Sequence, residues 1–163
     1  MTSIAFTPIT ARPKRGRAWQ WIAGGIGAVV IVVLVLLGSM LWRMSDIPAD
    51  LDFSTTRASE HSIFTATIRP EVDPIPINTM HRWALHVATP DGRPVENATI
   101  TLQGDMPQHG HGLPTKPEVS TYLGKGDYLV EGMKFQMTGW WVVDFDVNDG
   151  GKRDRVRFNL LLK

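Results

Sequence analysis

Between Ala18 and Trp42 the chain carries no charge for 25 positions, and its centre, Ile26 to Leu37, is Val, Ile and Leu apart from Gly27 and Ala28. A helix needs roughly 20 apolar residues to cross the hydrocarbon layer, so this run is long enough to span it with some tilt. Trp19 and Trp21 stand near one end and Trp42 at the other, where amphipathic rings favour the membrane–water interface. Arg12, Lys14, Arg15 and Arg17 precede the run, and Asp46, Asp50 and Asp52 follow it. The positive-inside tendency therefore expects the N-terminus in the cytoplasm and the C-terminal part across the membrane. A cleaved signal peptide has an apolar core of about 7–15 residues before a small-x-small site. Here the run is longer and ends in Met40-Leu41-Trp42-Arg43-Met44, which favours an uncleaved anchor. Gly24-x-x-x-Ala28 offers a small-residue face to another helix, although Gly is common in membrane helices generally.

Around this segment the 163 residues divide into a basic cytoplasmic tail (1–17), a transmembrane helix (18–42), a linker (43–60) and an extracytoplasmic domain (61–163). All 16 acidic residues fall from Asp46 onward, so the folded part has a net negative charge. It lacks the basic surplus that nucleic-acid binding requires. The absence of cysteine removes disulfides, thiolate ligands and thiol nucleophiles, and leaves the domain to its own apolar core.

From Ser62 the pattern is one of short strands and turns. Trp83, Leu85 and Val87 fall on one strand face, Ile100 and Leu102 alternate with threonines, Trp141, Val143, Phe145 and Val147 alternate with Val142, Asp144 and Asp146, and Val156 and Phe158 close the domain. Gly124-Lys125-Gly126 and Asp149-Gly150-Gly151 read as hairpin turns. About seven strands without an amphipathic helix predict an all-β, immunoglobulin-like β-sandwich after the membrane helix, with a small open barrel as the alternative. Gly126-Asp127-Tyr128 suggests a tyrosine corner.

One loop carries chemistry. In Met106-Pro107-Gln108-His109-Gly110-His111-Gly112 two imidazoles stand one residue apart, beside a thioether. Met133 and Met137 add two thioethers at a four-residue spacing, and Met80-His81 opens an earlier strand. Loops at one end of a sandwich cluster, so these seven residues are candidate metal ligands. Imidazole and thioether together suit copper, the thioethers favouring Cu(I); zinc would need better third and fourth ligands. The plainer reading makes Met133 and Met137 core filling around Phe135, His81 a structural residue and His-Gly-His a solvated turn. His61 and His86 read as structural or exposed. Asp144 and Asp146 share a strand face that reads as solvated. No nucleophile elbow or phosphate-binding loop is present, so no enzymatic activity is expected.

The motifs Met106-Pro107-x-His109-Gly110-His111-Gly112-x-Pro114-Thr115 and Gly126-x-Tyr128-x-Val130-x-Gly132-Met133-x-Phe135-x-Met137-x-Gly139-x-Trp141 resemble the YtkA-like domain family, whose anchored members include FixH-like proteins. Gln108 replaces a glycine usual in relatives, and Trp140-Trp141 doubles a single aromatic. The resemblance implies a bacterial inner-membrane protein with a periplasmic immunoglobulin-like domain, associated with assembly of copper-containing respiratory enzymes. Two functions follow as expectations. One is a copper-binding accessory protein that supplies or holds metal for a membrane enzyme. The other is a structural or assembly subunit of an integral membrane complex, packing through its helix and β-domain. A small-molecule-binding module has no particular residue set behind it.

Overall fold

The computed structural model describes Ile26, residues 29–39 and residues 47–163. Ile26 and residues 29–39 are helical, and the side chains from Val29 to Leu37 are exposed. Among the described residues no helix is long and apolar enough to cross a membrane. Both ends of the predicted span, its three tryptophans and the basic tail lie outside the described residues. The chain divides into two compact units, Met1–Ser45 and Asp46–Lys163.

Within the second unit lie nine strands: β1 Thr56–Ala58, β2 Thr65–Pro70, β3 His81–Ala88, β4 Thr99–Met106, β5 His111–Gly112, β6 Glu118–Gly124, β7 Asp127–Met133, β8 Gly139–Asp149 and β9 Lys152–Leu162. They form two antiparallel sheets, ordered β1-β2-β3-β7-β6 and β5-β4-β8-β9. Two separate sheets exclude the open barrel. The seven predicted strands are present, and β1 and β5 are additions. β1 falls in the stretch read as linker. There Ser54 N–H donates to Asp52 Oδ1 (2.8 Å), Arg57 pairs with the same carboxylate (2.8 Å), and the hydroxyls of Thr56 and Thr67 meet across the β1–β2 pair (2.9 Å). β5 is confined to two residues, with Pro114 and Pro117 after it to break further pairing.

The alternation read from the sequence sets the core. Trp83, Leu85, Val87 and Val130 of one sheet and Trp141, Val143, Phe145, Val147, Val156 and Phe158 of the other are all at most 1% exposed. Burying a large apolar side chain stabilises by about 1.5–3 kcal/mol, so this interior serves where no disulfide is available. β8 and β9 pair over eleven residues each, joined by Gly150-Gly151 with φ of 55° and 96°. Positive φ at both loop positions gives the twist that a two-residue hairpin needs, and glycine adopts it without strain.

The outer face of β8 differs from expectation. Asp144 and Asp146 do share it, but Asp144 is 4% exposed rather than solvated. Its directly opposite partner on β9, Arg157, donates twice to its carboxylate (2.8 Å and 2.8 Å), and Arg155 does the same to Asp146 (2.9 Å and 3.2 Å).

Three connections carry the chain between the sheets, and each is tied by a side-chain hydrogen bond to backbone. For β3–β4, Tyr128 donates to Val95 O (2.8 Å) and accepts from Ala98 N (3.0 Å). For β5–β6, Thr115 donates to Gly132 O (2.7 Å). For β7–β8, Trp141 Nε1 donates to Met137 O (3.0 Å). Tyr128 is therefore no local corner: its hydroxyl reaches some thirty residues back along the chain, to the connection between the layers.

Candidate functional site

The C-terminal ends of β2, β4 and β7 and the N-terminal ends of β3 and β8 lie at one end of the sandwich, which gathers all seven candidate ligands. Its loops are tied together. Asn78 N–H donates to Phe135 O (2.7 Å), Asn78 Nδ2 donates to Gln136 O (3.3 Å), and Gln136 reaches His111. The turn after β4 closes when His109 N and Gly110 N both donate to Met106 O (2.9 Å each), which makes Met106 and His111 direct cross-strand partners. Gly139 is required beneath this turn. Its φ is +119°, and a Cβ there would lie 2.5 Å from the Met106 terminal methyl.

Five of the seven residues fall into two groups. His109 is exposed and His111 half-buried, their rings stacked with centroids 5.8 Å apart and 28° between planes. Met106 sits inside, 1% exposed. The second group is internal: His81 (6% exposed) faces Met133 (0%) across the β3–β7 pair. The aromatic path from His111 runs to Trp141 (5.6 Å), on to Phe135 (5.2 Å) and then to His81 (5.8 Å). Met137 packs against the core edge, and Met80 is exposed at 59%.

The polar atoms here are unevenly satisfied. His81 Nδ1 meets Thr79 O at 3.0 Å, whereas its Nε2 is buried without a partner. Trp83 Nε1 and Gln136 Oε1 are likewise buried and unpaired. Most buried polar groups in proteins are paired, so three in one neighbourhood mark a region not built for stability alone. Gln136, which the sequence reading passed over between two hydrophobic residues, donates through Nε2 towards His111 Nδ1 (3.0 Å) and Gly112 O (3.3 Å).

A second cluster went unread because its members lie far apart in sequence. Glu60, His61 and Asp154 bring potential ligand atoms within 4.8 Å of one another at the opposite end of the sandwich. Asp154 is a backbone acceptor there. Its oxygens take His61 N (2.9 Å), Ile63 N (3.4 Å), Arg155 N (2.9 Å) and the His61 ring (2.9 Å). Burial alone would raise the Asp154 pKa, but hydrogen bonds from Ser59, His61 and Arg155 outweigh it and hold the carboxyl well below its ordinary value. The hydrogen bond to Asp154, reinforced by its charge, raises the His61 pKa. His86, partly buried, bonds Asp127 at 2.8 Å, while His61 is exposed.

Among the described residues, that distant cluster is the one place where three His, Asp or Glu side chains approach at ligating range. The loop itself carries two imidazoles and one buried thioether, donor types that suit Cu(I) better than zinc. The YtkA-like family profile matches residues 60–146, from the last residue of the predicted linker to Asp146 within β8. Neither a curated protein nor a solved structure matches the chain.

Proposed function

The chain belongs to the YtkA-like family, and from that premise we propose that it is a copper-binding accessory protein of the bacterial inner membrane. In this reading residues 18–42 anchor it, the N-terminus is cytoplasmic, and an immunoglobulin-like domain stands in the periplasm. There it supplies or holds Cu(I) for a membrane enzyme. The observation that carries the proposal is the stacked His109–His111 pair beside Met106, with no third imidazole or carboxylate at ligating range among the described residues. His109 and His111 would be the strong ligands and Met106 the soft one; Met133, Met137, His81 and Met80 would be secondary. A half-exposed site with few strong donors suits transfer rather than storage. When bound, copper would supply electron-transfer capacity to the recipient enzyme, and this chain's residues would only hold and present it.

The test is anaerobic Cu(I) titration of the detergent-solubilised full chain against a competing chelator. One equivalent should bind, and the double change His109→Ala/His111→Ala should abolish binding. Unchanged stoichiometry would overturn the reading. A reporter fused after Lys163 should be active in the periplasm; activity confined to the cytosol would overturn the topology.

The runner-up is a structural or assembly subunit. An apolar groove of about 390 Å³, lined by Phe53, Pro74, Ile75 and Leu161 among others, favours it as a contact surface. Co-purification of a membrane complex that survives the double alanine change would support this second role.

A further inference from the structure

We propose that Gln136 decides which ring nitrogen of His111 is free to ligate, and that its carboxamide has two working orientations. The proposal rests on reading His111 as a ligand, and it adds a positioning residue to that site.

Two acceptors, His111 Nδ1 and Gly112 O, converge on this amide. Gln136 Nε2 lies 3.0 Å from His111 Nδ1 and 3.3 Å from Gly112 O, and Nδ1 itself lies 3.3 Å from Gly112 O. An NH₂ group has two hydrogens, so one amide serves both acceptors at once. That arrangement places a lone pair on Nδ1 and leaves the proton of the neutral imidazole on Nε2. His111 is then closed to metal: Nδ1 is covered by the amide, and Nε2 carries hydrogen. The same orientation leaves Gln136 Oε1 buried and without a partner.

A half-turn of the carboxamide removes both conditions. Oε1 then accepts from Nδ1–H, the unpaired oxygen gains a donor, and the Nε2 lone pair is released. Ligating imidazoles ordinarily donate their other N–H to an oxygen in this way. The backbone that carries Gln136 holds still while the side chain turns. Phe135 is wholly buried, and Asn78 bonds the carbonyls of both Phe135 and Gln136.

The experiment uses the metal-free full chain in micelles near pH 8, with imidazole tautomers read by long-range ¹H–¹⁵N NMR. Wild-type His111 should be the Nε2–H tautomer. Gln136→Glu, which keeps the shape and only accepts, should convert it to Nδ1–H. Cu(I) affinity should rise on the order of 10-fold with that conversion. A wild-type Nδ1–H tautomer, or one unmoved by Gln136→Glu, would overturn the proposal even if His109→Ala/His111→Ala abolishes copper binding. The expected tautomer switch, with copper binding indifferent to the double alanine change, would uphold the role of Gln136 towards His111 and sink the metal reading instead.

Discussion

At the hairpin end of the sandwich, the buried carboxylate of Asp154 gathers backbone N–H groups from two elements and both of its oxygens are engaged. At the loop end, three buried atoms, on His81, Trp83 and Gln136, have no partner. An unpaired buried polar group costs about 1–3 kcal/mol. One end thus stabilises the fold, while the other holds unmet hydrogen-bonding capacity beside its stacked imidazoles. The difference separates a cluster that resembles a metal site by composition from a neighbourhood whose buried polar atoms are not all engaged. Glu60, His61 and Asp154 have suitable donors, but Asp154's are already occupied.

The comparison can be broken first at Asp154. Asp154→Asn should lower stability by about 2–4 kcal/mol, because it turns an acceptor of several buried donors into a poor one. That is a fall in Tm on the order of 10 °C in thermal unfolding followed by tryptophan fluorescence. A loss below about 0.5 kcal/mol would mean that the hairpin end is not the stabilising one. Its acid dependence has a definite sign. The folded carboxyl titrates below its unfolded value, so its contribution is present above about pH 4 and fades as pH falls. Urea unfolding at successive pH values should show a shallower acid decline in Asp154→Asn.

Gly139→Ala comes next, at the loop end. A side chain forced to φ of +119° against the Met106 methyl should cost about 1–3 kcal/mol and displace Met106. Equal chelator-competition affinity for Cu(I) in this variant would detach Met106 from the site. His81→Leu should move stability by no more than about 1 kcal/mol, since losing the bond to Thr79 is offset by removing an unpaired nitrogen. A large loss would show that His81 is an ordinary structural histidine. The smallest effect belongs to His61, 76% exposed. Its raised pKa stabilises the fold below about pH 6.5, and that contribution is lost as pH rises through the folded value. His61→Ala should flatten the fall in stability that sets in as pH rises above about 6.5.

Strand periodicity was the legible part. The alternation of Trp83, Leu85 and Val87 and of Trp141 through Val147 located the core because side-chain direction in a strand has period two. β1 was hidden because three residues are too short for a period to show. Asp144 was misread because alternation tells which face a residue takes, not whether a partner's guanidinium covers it. Within the site, the convergence of Met106 and His111 follows from a local turn and was readable. Gln136 was not, because its neighbours Phe135 and Met137 are apolar and its partner lies on a different strand. Asp154 and His61, 93 positions apart, left no local trace at all.

Tyr128 bridges Val95 and Ala98 only while it keeps its proton, since it is the donor to Val95 O. Burial outweighs the opposing hydrogen bond from the Ala98 backbone and pushes its pKa above the ordinary phenol value. In strong alkali the unfolded phenol ionises first, so stabilisation is full below about pH 10 and drains away above it. The domain therefore carries a fuse for caustic conditions at the joint between its layers, at the opposite end of the sandwich from His109 and His111.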